Sequence, residues 1–221
     1  MADSTVTSRK MTASLQNHFD KVFAQLQQDG LLLLSDPELP SVSGIVTGEK
    51  IRGSWWSHEL GQTIFTVSEM IEDHKDVMIM KLISRKVTFV HRGLWNEIYS
   101  IGVARERWQL KNLSSKARRA LQILDSAGSL YSYKLRNAFA PVGPDIAREL
   151  ESRLLVHAQQ FHTESGKHAR LIETWDVWAG GAGFRARAKD PVASRRFLEQ
   201  RLADINQKHN GRGKLPWPST V

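Results

Sequence analysis

The feature that most constrains the fold is an order of predicted elements that occurs twice along the 221 residues. Apolar residues at helical spacing predict an amphipathic helix over residues 14–29, and Gly30 suits its C-terminal end. Short apolar or β-branched runs bounded by turn residues predict strands. The first occurrence comprises a helix (14–29), a short strand (31–34), a short helix (41–46), a helix (59–74), a hairpin (77–82 and 87–91) and a closing helix (93–101).

The same order returns in the second half of the chain. It comprises a helix (115–127), a short strand (129–134), a short helix (135–140), a third helix (144–154) and a hairpin (155–161 and 168–175). The segment Glu164-Ser165-Gly166-Lys167 is typical of a hairpin turn because it contains glycine. The two halves share no residue-level repeat, so the predicted duplication is one of architecture.

A hairpin that follows a three-helix core is the winged-helix plan, which elaborates the helix-turn-helix. The sequence therefore predicts an α+β, mainly α fold with tandem winged-helix-like units at residues 13–110 and 111–179. Residues 180–221 are expected to form a linker or tight loop, a basic C-terminal helix (191–208) and a Gly/Pro-rich tail (210–221) that is flexible or draped over the surface. Residues 1–12 are polar and are expected to be disordered.

Composition places the chain among ordinary globular proteins, since 41% of its residues are apolar and 24% are charged. It contains no cysteine, which excludes disulfides, thiolate zinc sites and iron–sulfur clusters. The longest aliphatic run, residues 31–34, falls far short of the roughly 20 residues that span a bilayer. The polar N-terminus lacks a signal-peptide pattern. We therefore expect a cytoplasmic protein that has no membrane partner.

Charge is distributed unevenly between the two halves. Residues 1–110 contain 12 Lys and Arg against 13 Asp and Glu, a net charge of −1, whereas residues 111–221 contain 19 against 10, a net charge of +9. Such an asymmetry favours a polyanionic partner for the second half, and nucleic acid, in particular duplex DNA, is the natural one. A basic surface that only aids solubility is the alternative.

The candidate nucleic-acid contacts are basic residues of the second half. Arginine on the third helix of a winged helix reads guanine, and cations at a wing tip or on a basic tail bind phosphate. The predicted contacts are Arg148, Arg153, Lys167, His168, Arg170, Arg185, Arg187, Arg195 and Arg196. In the first unit, Arg85 and Lys86 cap the hairpin and are candidates for phosphate contact, whereas the acidic third helix (Glu69, Glu72, Asp73) would repel phosphate. That unit is therefore expected to bind protein or the second unit.

The most unusual local sequence is Arg52-Gly53-Ser54-Trp55-Trp56-Ser57-His58. Two adjacent tryptophans before a helix form an aromatic plug between helices or stack on bases. The aromatic plug is the favoured interpretation. Arg52, Trp55, Trp56 and His58 are accordingly the candidate residues of a motif or cleft.

Motifs for catalysis, cofactors and metals are absent from the sequence. There is no Walker loop, dinucleotide fingerprint, metalloprotease HExxH or nucleophile elbow. His157, His162 and His168 gather in the second hairpin, but alternation places His157 and His162 on opposite strand faces, so they are not expected to share a metal. We expect no cofactor and assign no catalytic residue.

Residues 51–58 also resemble a known family when taken with Thr63-Ile64-Phe65, Lys81-Leu82-Ile83, residues 86–91 and Leu94-Trp95. Together they resemble a bacterial AlkZ-related family over about residues 15–105, although Ser84-Arg85 replaces the glycine-containing turn expected there. The resemblance implies a winged-helix architecture similar to AlkZ-type alkylation-repair DNA glycosylases. Those enzymes use a Gln-apolar-Gln motif, which Gln25-Leu26-Gln27 matches in letters, although Leu26 is predicted to face a core.

Three functional hypotheses follow from these patterns. The first is a non-catalytic DNA-binding or DNA-associated protein, and the second is a DNA-repair glycosylase-like enzyme. The third is a protein–protein adaptor that acts through the first unit. The tryptophans discriminate among them: burial of the pair favours a scaffold or adaptor, whereas exposure in a basic cleft favours the glycosylase.

Overall fold

The computed structural model describes residues 13–131, 146–162 and 168–218. Within these ranges the chain is mainly helical and carries two small antiparallel sheets. The predicted α+β, mainly α class is therefore confirmed. Six predicted features lie wholly or partly outside the described residues: the N-terminal segment 1–12, the end of the strand 129–134, the helix 135–140, the start of the helix 144–154, the turn 164–167 and the last three residues of the tail.

The first part of the chain follows the predicted order of elements. Helix α1 ends at Asp29, and Gly30 continues with φ of 76°, as a C-terminal glycine does. The elements are α1 (Ala13–Asp29), β1 (Leu31–Leu33), α2 (Val42–Thr47), α3 (Gly61–Glu72), β2 (Val77–Lys81), β3 (Val87–His91) and α4 (Trp95–Ala104), with short 3-10 helices at Trp55–Ser57, Ile83–Arg85 and Arg92–Leu94.

Sheet order in this part is β1-β3-β2, with both pairings antiparallel. Leu32 of β1 lies opposite Phe89 of β3, and both side chains are buried against α1, α2 and α3. Val22, Leu26 and Val67 line the facing side of this core and are 0% exposed. The apolar positions that predicted the helices are thus the positions that hold the sheet.

The second part has the same strand order, β4-β6-β5. Its elements are α5 (Arg107–Leu110), α6 (Ser115–Ala127), β4 (Ser129–Tyr131), α7 (Ile146–Glu151), β5 (His157–His162) and β6 (His168–Glu173). Ser114 caps α6 by accepting a hydrogen bond from the Ala117 amide, and the Glu149 carboxylate accepts from both the amide and the hydroxyl of Ser114. This arrangement fixes α7 against the start of α6.

A helix lies where the sequence predicted the end of a strand and a linker. Helix α8 (Trp175–Gly181) begins at the N-cap Thr174, whose side chain accepts from the Val177 amide, and Asp176 lies in its first turn. The strand prediction over residues 168–175 was therefore too long by two residues. Favourable capping at Thr174 outweighs the glycine pair that suggested a linker.

The C-terminal segment is packed rather than flexible. Helix α9 (Pro191–His209) buries Leu198, Leu202 and Ile205 against α4, and Trp217 beyond it is 6% exposed. The Trp217 indole donates to the Glu199 carboxylate at 2.8 Å. Of the two alternatives for the tail, the flexible one does not describe residues 210–218, because Trp217 anchors a segment whose composition otherwise favours disorder.

One central core joins all these parts. Trp95 of α4, Trp175 and Trp178 of α8, and Leu198 of α9 belong to a single buried cluster, together with Leu154. The Trp175 indole donates to the Leu154 carbonyl at 2.7 Å. The segment after residue 110 therefore has a buried cluster of its own, which includes Leu121, Leu150 and Ile172, and also contributes to this shared core.

Candidate nucleic-acid interface

Three of the predicted nucleic-acid contacts are engaged inside the protein. Arg195 donates to the Glu106 carboxylate at 2.9 Å, and its side chain is only 11% exposed. Arg170 lies 3.4 Å from the buried carboxylate of Glu151. These two guanidiniums neutralise buried carboxylates, which is a folding role.

Arg153 is the third engaged residue. Its guanidinium donates to the carbonyls of Trp108, Gln109 and Lys111 at 2.7–3.2 Å. These carbonyls belong to α5 and its C-terminal end, where orphan backbone acceptors attract a cation. Arg153 therefore ties α5 to the turn that follows α7.

Two exposed arginines, Arg185 and Arg187, lie on a strap, defined as residues 184–190, that connects α8 to α9. The strap runs along α4 and is fixed there by its backbone: the Arg187 amide donates to Asn96 at 2.8 Å, and the Lys189 amide donates to the Ser100 hydroxyl at 2.9 Å. The Lys189 ammonium pairs with the buried carboxylate of Glu97. Arg185 on the same strap, like Arg187, has an exposed side chain.

Helix α9 continues this surface. Arg196 is exposed in its first two turns, beside Phe197, which is 46% exposed, and the Arg201 guanidinium lies 5.8 Å from the Phe197 ring. Within the described part of the chain, Arg185, Arg187 and Arg196 form no ion pair. These three residues, named here the strap arginines, are the predicted contacts that remain available to a polyanion.

The remaining predicted contacts lie on the second hairpin and α7. Arg148 is exposed on α7. Lys167 lies outside the described residues, and His168 begins β6. The second wing tip therefore stays a prediction.

The turn of the first hairpin meets the tail. Lys86 pairs with Asp36 at 2.7 Å. Burial raises the pKa of Asp36, but hydrogen bonds from the Leu39 amide and the Lys86 ammonium outweigh it, so this pKa lies below its ordinary value. Ser84 in this turn is hydrogen-bonded to Lys214, which lies 130 residues further along the chain. Sequence reasoning missed Arg212 and Lys214, because a tail assigned as flexible has no predicted position.

The tryptophan pair forms a stack at the surface. The rings of Trp55 and Trp56 lie 4.2 Å apart, and Trp56 also contacts Phe65 at 5.3 Å. Trp55 packs partly against the first core, but Trp56 is 59% exposed, so the interpretation of both as a buried plug is wrong for Trp56. A 3-10 turn over Trp55–Ser57 places the Trp55 ring against the core of the first part and the Trp56 ring on the Trp55 ring.

Charges beside this stack are mixed. His58 contacts Glu49 at 2.9 Å, and the exposed neighbours Arg52 and Glu59 have opposite signs. The stack therefore satisfies neither criterion that would discriminate among the hypotheses, because it is not wholly buried and does not line a basic cleft.

The Gln-Leu-Gln match lies inside α1. Leu26 is 0% exposed in the first core, and the Gln25 amide donates to Asp29 one turn later in the same helix. Asp29 also lies 3.7 Å from the Lys208 ammonium of α9. Gln25 thus belongs to a contact between α1 and α9.

No three His, Asp or Glu side chains among residues 13–131, 146–162 and 168–218 are arranged to hold a metal ion. Over the same ranges, no helix is both long and apolar enough to span a membrane.

A comparison with family models gives one match. The model described as AlkZ related matches residues 16–212, which include both hairpins and α9. No curated protein and no solved structure matches the chain.

Proposed function

Because the chain belongs to the AlkZ-related family, we propose that it is a non-catalytic protein that binds duplex DNA. The relation of this family to DNA glycosylases supports an association with DNA. The two helix-and-hairpin parts support a duplex target, since the winged-helix plan elaborates a motif that docks in the major groove.

The observation that carries the proposal is the fixed, exposed position of the strap arginines. The strap backbone is hydrogen-bonded to α4 at Asn96 and Ser100, so Arg185 and Arg187 project from a rigid support. Arginine at a fixed position neutralises phosphate and releases counterions without sequence preference. Arg196 extends the same surface onto α9.

The non-catalytic part of the proposal is supported by α1. A Gln-apolar-Gln motif that handles a catalytic water needs both amides in a pocket, but Gln25 is bonded to Asp29 within its own helix and Leu26 is in the core. Release of a free base from alkylated duplex DNA would favour the glycosylase alternative.

The test uses the full chain, because Trp95, Trp175 and Leu198 share one core. A fragment of either half would lack part of that core. Binding of a short mixed-sequence duplex is measured at several salt concentrations. Each phosphate contact contributes a slope of about 0.9 in the plot of log affinity against log salt. Arg185→Gln and Arg187→Gln should each lower the slope by about this amount and weaken binding to all sequences alike.

Lys21→Gln is the matched control, since Lys21 is exposed on α1, in the half of the chain without net positive charge. It removes one charge and should leave the slope unchanged. If the arginine variants and the control behave alike, the strap does not contact DNA. If the unaltered protein shows no salt-dependent affinity for duplex, the proposed function is wrong.

A further inference from the structure

The turn between β2 and β3 holds two consecutive side chains in a backbone conformation that favours glycine. Ser84 has φ of 51° and Arg85 has φ of 60°. This left-handed region is unfavourable for other residues, because Cβ approaches the following carbonyl oxygen. Side chains kept at such positions concentrate at functional sites.

The tail explains Ser84 but not Arg85. The Ser84 amide donates to the Lys214 carbonyl at 2.7 Å, and the Lys214 amide donates to the Ser84 hydroxyl at 3.2 Å. The serine hydroxyl therefore contributes one of the two hydrogen bonds that hold Lys214 on this turn. Arg85 is exposed, and within the described residues its guanidinium has no ion-pair partner, so no ion pair in this part of the chain accounts for an arginine at this φ.

The tail is itself held in place beside this turn. The Asn206 side chain of α9 accepts from the Gly213 amide at 2.8 Å and donates to the Gly213 carbonyl at 3.0 Å. Gly213 packs so closely on Ile83 and Leu39 that a Cβ there would lie 2.9 Å from both. Arg212 and Lys214, which flank Gly213, are exposed.

These contacts assemble a positive surface from two distant segments. We infer that Arg85, Arg212 and Lys214, named here the turn patch, form a second contact for the phosphate backbone of DNA, separate from the strap. Lys86 is compensated by Asp36, and Glu38 is the other carboxylate in the adjoining loop. The three cations of the patch therefore leave a local positive excess.

A nucleic acid suits this surface better than an acidic protein does. The exposed large apolar side chains of the described residues are Trp56, Ile123, Val177 and Phe197, and none lies on the turn or on the tail. Protein interfaces bury an apolar and aromatic centre. Surfaces that bind nucleic acid are polar and strongly positive, as the turn patch is.

The inference rests on the proposed function, and its test separates the two. Salt titrations of duplex binding are repeated with the full-length variants Arg85→Gln, Lys214→Gln and the double variant. Each single change should lower the slope by about 0.9 and the double change by about twice that. Arg85→Lys, which keeps the charge, should keep the slope.

Arg85→Gly distinguishes a contact from a structural role. Glycine accepts the positive φ, so the melting temperature should stay equal or rise while the slope falls by about 0.9. Asn112→Gly is the control, since exposed Asn112 has φ of 59°; its melting temperature should respond similarly and its slope should not change.

The outcomes are distinct. If the turn-patch variants keep the wild-type slope while the strap variants lower it, the turn patch does not contact DNA and the inference is overturned, with the proposed function intact. The same holds if Arg85→Gly melts earlier and binds as wild type, since Arg85 would then be structural. If duplex binding shows no salt dependence in the unaltered protein, both proposals fail.

Discussion

Arg195 and Arg196 are neighbours that face opposite environments. Arg195 lies three residues before Leu198 and seven before Leu202, on the buried stripe of α9, and reaches Glu106. Arg196 is turned about 100° around the helix and is exposed. A basic helix therefore presents only part of its charge to a ligand.

This difference predicts opposite effects for two similar substitutions. Arg195→Gln leaves the Glu106 carboxylate without its cation in a setting where both side chains are less than one-fifth exposed, so unfolding should become easier by about 3 kcal/mol. Arg196→Gln should leave stability within about 0.5 kcal/mol. Urea unfolding of both variants measures the difference.

Duplex binding should reverse the order of these two variants. Arg196→Gln should lower the salt slope by about 0.9, and Arg195→Gln should not change it. An Arg195→Gln variant that is as stable as wild type would contradict the folding role assigned to the Arg195–Glu106 pair.

The sequence could have predicted that Arg195 faces the core, but not the residue with which it pairs. The spacing of residues 195, 198, 202 and 205 already places Arg195 on the apolar stripe, whereas Phe197, one position before Leu198, is 46% exposed. The partner of Arg195 could not be predicted, because Glu106 is 89 residues away and no local pattern relates the two.

Among the elements, those with clear caps and a regular apolar period were predicted closely. Helix α6 was predicted at residues 115–127 and has these bounds, since Ser114 caps its start and Gly128 follows its end. Helix α8 was missed because its seven residues include two glycines. The tail was misassigned because Gly and Pro content outweighed Trp217, whose burial depends on α9.

The connection between α9 and the tail can be tested at Asn206. Asn206→Ala removes both hydrogen bonds to Gly213, and at roughly 1 kcal/mol each the free energy of unfolding should fall by about 2 kcal/mol. Gln207→Ala, at the exposed next position of α9, should cost nothing. Equal thermal stability of the two variants would show that the Asn206 clamp does not hold the tail.

At the scale of the whole molecule, α4 and α8 join the two parts. The ring centroids of Trp95 and Trp178 lie 5.1 Å apart. The Tyr99 hydroxyl donates a hydrogen bond to Asp176, and this bond together with burial raises the pKa of Tyr99 to about 12. The element order of the first part was predicted closely from the sequence, but the sequence contained no signal for this shared core. Such contacts depend on how two amphipathic faces meet, which periodicity does not specify.

Gly102 provides the sharpest test of that shared core. A Cβ at this position of α4 would overlap the indole of Trp175, which is 2% exposed and is fixed by its hydrogen bond to Leu154. Gly102→Ala should therefore cost about 3 kcal/mol and lower the melting temperature by roughly 6–12 °C.

Because the core is shared, circular dichroism and tryptophan fluorescence should report one coincident transition. Gly180→Ala, on α8 where a Cβ meets nothing within 4 Å, should melt at or above wild type. Two separate transitions in Gly102→Ala would mean that the two parts unfold independently.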